Sequence, residues 1–254
     1  KNMMCICRCS ELAELMNEIM FRFLDIDIAN LKITGIKIAN ILYTEYYTYS
    51  TQEEVQAAQS SIEVILSEVT NFEGFKLLEP VFTTFAIKDI FSDNLIDSIW
   101  EIVTNSPQSV MKEAIELFTN IAIKVKNTAK IVNIATSKPI NIDFVSELAK
   151  RPQYRDSIMK ALINLSENEK DIPSLEAIIK ISKTFDLSTF LPEIITNINC
   201  PVLLKYHLVL IDTMLTKSPQ KIETSSIFSS IIENIYTFSE EDSIEVLKTG
   251  ASIL

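Results

Sequence analysis

The sequence predicts an all-α protein, and three observations carry that expectation. Only three glycines, Gly35, Gly74 and Gly250, occur in 254 residues, too few for the turns of a sandwich, a barrel or a doubly wound sheet. Apolar residues recur at helical spacing, as in Ile115, Phe118, Ala122 and Val125, or Leu203, Leu210, Met214 and Leu215. Polar breaks separate these stripes at Ser50-Thr51-Gln52, Asn105-Ser106-Pro107, Lys170-Asp171-Ile172-Pro173 and Asn199-Cys200-Pro201. Three of them place proline at the first helical position, where its missing N–H costs nothing.

Taken in chain order, the expected helices begin with an apolar one over 12–23, followed by a longer one over 29–43. Thr51 with Glu54 three residues later is a capping box, and it opens a long helix over 53–69. The stretch 72–91 is longer than a single short helix needs, and a helix over 95–103 follows it. Residues 107–122 form the next long helix, then a short one carries Ala-Lys-Ile-Val-Asn-Ile-Ala at 129–135 and a middle one 142–150. Beyond it come apolar helices over 155–165 and 190–198, each preceding a long helix, over 173–185 and 201–215. A final pair covers 226–238 and 243–254.

The balance of 23 Lys+Arg against 34 Asp+Glu gives a net charge of −11, and 47% of the residues are hydrophobic. That much apolar side chain excludes disorder. No two glycines stand close enough for a phosphate-binding loop, and the single histidine, His207, excludes a multi-histidine metal site. Sparse basic residues, with only Arg8, Arg22, Arg151 and Arg155 as arginines, point away from nucleic acid. No uncharged apolar run reaches ~18 residues, so no membrane insertion is expected. Cys5, Cys7 and Cys9 lack the second pair a structural zinc site needs, and with Cys200 they are expected as small apolar residues of a cytoplasmic or also nuclear chain. The lack of an initiator methionine is expected of a partial or trimmed chain.

Self-similarity separates a bundle from a repeat array. Residues 105–150 run as a long helix ending in Leu117-Phe118-Thr119-Asn120-Ile121-Ala122, a short helix, then a middle helix. This resembles the armadillo pattern, and the long helix recurs at 29–43, 53–69, 173–185 and 201–215. Each unit cannot bury its apolar stripe alone, so stacked neighbours supply the core. The expected architecture is one right-handed armadillo/HEAT-repeat superhelix over 1–254, an α-solenoid of about five or six repeats. The register is uneven: the long helices at 29 and 53 are too close for a full unit between them.

Several stretches together resemble one family, the non-ATPase regulatory subunit 5 of the 26S proteasome, an assembly chaperone of the regulatory-particle base. They are Ala29-Asn30-Leu31-Lys32-Ile33 with Ile41-Leu42, Ser67-Glu68-Val69-Thr70 with Gly74 and Leu77, and Ile-Phe-Ser-Asp-Asn-Leu-Ile-Asp-Ser-Ile at 90–99. Cys-Pro-Val-Leu-Leu-Lys at 200–205 carries it furthest, through Ile211, Leu215 and Pro219 to Glu-Val-Leu-Lys at 245–248. The resemblance implies a binding protein without chemistry, one that holds the C-terminal domain of a proteasomal ATPase subunit and needs no cofactor. A generic protein-interaction scaffold, for vesicle tethering or other complex assembly, is the alternative.

In armadillo arrays a polar residue near the end of the long helix faces the groove. The matching positions are Asn40, Glu68, Asn120, Lys183 and Asp212, with Ile36, Val64, Glu116, Ile179 and Leu208 one turn earlier. Asn40, Glu68, Glu116, Asn120, Lys183, Leu208 and Asp212 are therefore the candidate partner-binding residues. The only tryptophan, Trp100, lies on a middle helix, so the clamp of import-type arrays is missing. His207 has no nucleophile placed near it and is expected as a partner-facing or capping residue. Tyr43, Tyr46, Tyr47 and Tyr49 are expected to cover the next repeat with their rings.

Overall fold

Side-chain caps start the helices at the polar breaks of the sequence. Thr51 and Glu54 close their capping box reciprocally, with Glu54 N–H donating to Thr51 Oγ1 at 3.2 Å and Thr51 N–H to Glu54 Oε2 at 3.0 Å. Asn71, Ser92, Asn141 and Asp171 each accept a backbone N–H three residues on, satisfying one orphan donor of the first turn. Proline occupies the first turn at Pro152, Pro173 and Pro201. At Pro107 it instead precedes a turn, and the helix begins only at Met111.

The structure, a computed structural model, describes residues 10–47, 51–68, 71–196, 198, 200–219, 222 and 224–253. Fourteen α-helices and no strand occur among the described residues. Two compact units divide the chain at 134/135.

The first unit holds α1 (Ser10–Asp25), α2 (Ala29–Ile41), α3 (Gln52–Glu68), α4 (Phe72–Lys88), α5 (Asp93–Thr104), α6 (Met111–Ala122) and all but the end of α7 (Thr128–Ala135). α2 ends in a π-helical turn, Leu42–Tyr46. Helices two apart in sequence stack on each other, so α1, α3 and α5 make one row and α2, α4 and α6 the other. Phe72, Phe75, Leu78, Phe82 and Phe85 of α4 are buried, and neighbouring rings among these phenylalanines pack at tilted angles.

This arrangement corrects the expected register. The 72–91 stretch is not a connection but a full helix of the second row, while the 53–69 helix belongs to the first row. The two helices that stood too close for one repeat are thus consecutive members of opposite rows.

The second unit repeats the scheme with α8 (Ile142–Ala149), α9 (Pro152–Glu169), α10 (Ile172–Ser182), α11 (Leu191–Thr196), α12 (Pro201–Lys217), α13 (Ser225–Asn234) and α14 (Glu240–Ile253). Here α8, α10, α12 and α14 stack serially, with α9 packed on α8 and α10, and α11 on α12 and α13. Arg155 fastens one corner: its Nε donates to the Ala149 carbonyl at 2.9 Å, and its guanidinium lies 3.8 Å from the Phe185 ring centroid. It thereby supplies a donor to the unsatisfied C-terminal end of α8 and a cation–π contact to the end of α10.

Candidate protein-binding surface

Polar contacts join α2 to α4, α4 to α6, α8 to α10 and α12 to α14, and five contacts share one sequence separation. Lys76 of α4 pairs with Glu113 of α6 at 2.5 Å, and Lys126 with Asp89 at 3.0 Å, both 37 residues apart. Lys180 of α10 with Asp143 of α8, and Lys205 of α12 with Asp242 of α14, share the same separation of 37. Asn40 of α2 adds a fifth rung by donating to the Leu77 carbonyl of α4, again 37 residues away. That shared separation is somewhat shorter than the ~40–47 residues of armadillo and HEAT units.

These rungs perturb the groups that form them. Hydrogen bonds to Asp242 and Glu245 raise Lys205, while Lys205 and Ser239 hold Asp242 below the usual carboxylate range. At Asp171, burial pushes the carboxyl up, but the Ser174 hydroxyl and Lys138 outweigh it and the net shift is downward.

The seven candidate residues fall into three groups. Glu116 and Asn120 lie one turn apart on the exposed face of α6, Glu116 only loosely paired with Lys112 at 3.9 Å. Lys183 is exposed at the C-cap of α10. These three are open to a partner. Asn40 and Asp212 are half-buried and already engaged, Asn40 with Leu77 and Asp212 accepting from Ser252 Oγ of α14 at 2.7 Å. They hold the array together.

Two candidates need correction. Leu208 is fully buried, because the edge of α12 it occupies is the one α14 packs on. Glu68 stands at the end of α3, in the other row, where it faces Lys32 at 3.7 Å. Ile36 is buried as well, while Val64 is half-exposed on α3.

His207 is neither partner-facing nor a cap. It is 3% exposed within α12, its Nδ1 makes no hydrogen bond, and burial pushes its pKa down to about 4 against an opposing contact from the Leu203 carbonyl. The tyrosines do cover a neighbour. Tyr43 is fully buried and stacks on Tyr47 with ring centroids 4.8 Å apart, and their π-turn packs on α1 and α4. Burial raises the Tyr43 hydroxyl well above the usual phenol range. Tyr49, Cys5, Cys7 and Cys9 lie outside the described residues.

In the first unit, the outward faces of α2, α4 and α6 offer Ile33, Lys37, Ile87, Glu116 and Asn120 to solvent. In the second, α10 and α12 offer Glu176, Lys183 and Val202. Such mixed apolar and charged surface suits protein recognition. One cleft of about 250 Å³ opens between α3 and α5, lined by Glu63, Ser67, Ser98 and Glu101.

Sequence reasoning missed the outward face of α4, because the stretch 72–91 was not read as a helix of a row. No group of three or more His, Cys, Asp or Glu side chains placed to hold a metal occurs among the described residues. Among them, no helix is long and apolar enough to cross a membrane. Comparison with protein-family models, curated proteins and solved structures finds no match to this chain.

Proposed function

We propose that the chain is a right-handed α-solenoid whose role is binding and not catalysis, and that it holds a folded protein partner on the outward helix faces of its repeats. The observation that carries this reading is the packing of alternate helices into rows within each unit, with large buried side chains between them, which orders the outward faces before any partner arrives. A surface ordered in advance avoids the entropy cost of ordering it on binding.

The partner we propose is the C-terminal domain of a proteasomal ATPase subunit, met in the cytoplasm or nucleus during assembly of the regulatory-particle base. The resemblance at 90–99 and 200–205 supports this, and an acidic chain favours a partner with a basic face. The test is surface plasmon resonance with purified C-terminal domains of the proteasomal ATPases. One of them should bind with a Kd of about 1 μM or tighter. Glu116→Lys with Asn120→Lys, both exposed on α6, should weaken it about tenfold while leaving the helical dichroism unchanged. Failure of every ATPase domain to bind leaves the broader scaffold reading and removes the chaperone one.

A further inference from the structure

Two serines of the chain are followed by proline, Ser106-Pro107 and Ser218-Pro219, and the fold treats them differently. Ser106 is 8% exposed, and its hydroxyl donates to the Ile102 carbonyl at 2.8 Å. Three residues beyond it stands another serine, Ser109. Ser218 lies just past the end of α12, half-buried, between exposed Lys217 and exposed Pro219. Three residues beyond it in the sequence stands a lysine, Lys221.

The backbone at Ser218 suits entry into a catalytic cleft. Its φ of −132° and ψ of 81° take the chain out of the helix, as the ring of a following proline favours. Its N–H alone still serves the helix, donating to the Met214 carbonyl at 2.9 Å. Thr216 and Lys217 belong to the exposed last turn of α12, the part of a helix that opens most readily. A cleft with an apolar pocket after the reacting serine selects proline, since another residue would bury an N–H without an acceptor. An anionic subsite farther along the cleft selects a lysine at the third position.

We propose that Ser218 is a phosphorylation site for a proline-directed kinase that favours a basic third residue, and that the phosphate loosens the end of α12. The Ser218 hydroxyl oxygen attacks the γ-phosphorus of MgATP, the bond to the β-phosphate oxygen breaks, and ADP leaves. The hydroxyl proton passes to the catalytic aspartate of the kinase. The product carries nearly two negative charges beside the last carbonyls of α12, which already form its negative pole. Asp186 follows the end of α10, the helix that stacks on α12 in the same row. Ser188, whose N–H donates to it at 2.9 Å, holds its carboxyl below the usual range. The Ser218 hydroxyl and the Lys217 ammonium lower it further. Phosphate on Ser218 replaces that favourable neighbour with a like charge and drives the two segments apart. The site needs only the cytoplasmic or nuclear placement proposed above, not the identity of the partner.

The test incubates the purified 254-residue chain with MgATP and a cyclin-dependent kinase, followed by peptide mass spectrometry. Ser218 should carry phosphate and Ser106 should carry none. Ser218→Ala should abolish the transfer, Pro219→Ala should slow it at least about tenfold, and Lys221→Ala about fivefold. The phosphorylated chain should melt about 2–4 °C below the unmodified one, with faster amide exchange in the last turn of α12. Binding to the ATPase domains is read separately, so failure of that partner leaves these outcomes untouched. Absent transfer, equal transfer to Ser106, or transfer indifferent to Pro219→Ala overturns the proposal. So does a midpoint that holds or rises on phosphorylation.

Discussion

His207 lies inside α12 with its charge unwanted, and the sign of the resulting pH dependence follows from its two pKa values. In the folded chain the pKa is about 4, against 6.5 for the free side chain. Between those values the unfolded state binds the proton and the folded state does not, so stability falls as pH drops through that window. From pH 7.5 to 5 the expected loss is about 2 kcal/mol by urea unfolding, and His207→Met should remove most of that slope. Asp171, Asp186 and Asp242 are all held below the usual carboxylate range and do not titrate in this interval. Two glycines offer a second contrast. A Cβ on Gly35 would meet the Met20 carbonyl oxygen at 3.1 Å and Leu24 Cγ at 3.0 Å, whereas on Gly250 it would meet only the Ile231 Cδ1 methyl closely, at 2.5 Å. Backbone cannot step aside but a terminal methyl can rotate. Gly35→Ala should therefore cost about 1 kcal/mol despite its helix propensity, and Gly250→Ala should fall within about 0.5 kcal/mol of neutral. Neither the burial of His207 nor that of Leu208 was legible in the sequence. Both sit on a helix that is apolar on more than one flank, and only packing on α14 distinguishes its covered edge from an open one.

At the scale of the element, the helices were legible wherever a cap and a stripe coincide, and their pairing into rows was not. α4 shows why. Its cap, Asn71, and its stripe of phenylalanines are ordinary helix signals, yet Pro80 lies in its middle and is exposed. The ring removes the N–H that would bond the Lys76 carbonyl, and the sequence showed only a stretch longer than a single short helix needs. Restoring that bond with Pro80→Ala should stabilise the chain by about 1–3 kcal/mol, read as a higher urea midpoint at unchanged slope. A lower midpoint would mean that the bend at Pro80 is needed to seat α4 against α2 and α6. Helix ends give a second expectation. Asp89 and Lys170 adopt the left-handed conformation, with φ of 59° and 52°, at C-caps where glycine is usual. Lys170→Gly should raise stability by about 0.5–1 kcal/mol. Asp89→Gly should gain less, because it forfeits the ion pair with Lys126.

Across the whole molecule, stability in an array is local to neighbouring repeats. In the second unit α14 buries only Val246, Gly250 and Ile253, and α13 only Ile227, Ser230 and Ile231, whereas α12 buries seven residues. Amide exchange should accordingly be fastest in α13 and α14 and slowest in α10 and α12; uniform protection would contradict a nearest-neighbour array. The ladder itself adds little energy. Lys180 and Asp143 are 48% and 72% exposed, and a double-mutant cycle on them should give less than about 1 kcal/mol. The succession of helices was legible in the sequence, but their stacking into rows was not. Lysine and acid 37 residues apart carry no signal until the rows show them side by side. That fixed interval also constrains how such a chain can change length over evolutionary time. Removing or duplicating one hairpin of about 37 residues should return the later helices to the same row and keep rungs such as Lys76–Glu113 and Lys205–Asp242 in register. Removing half as much exchanges the rows and strands each charge against apolar surface. Length should thus vary in whole hairpins, and a chain with one interior hairpin excised should still fold, shorter by one step.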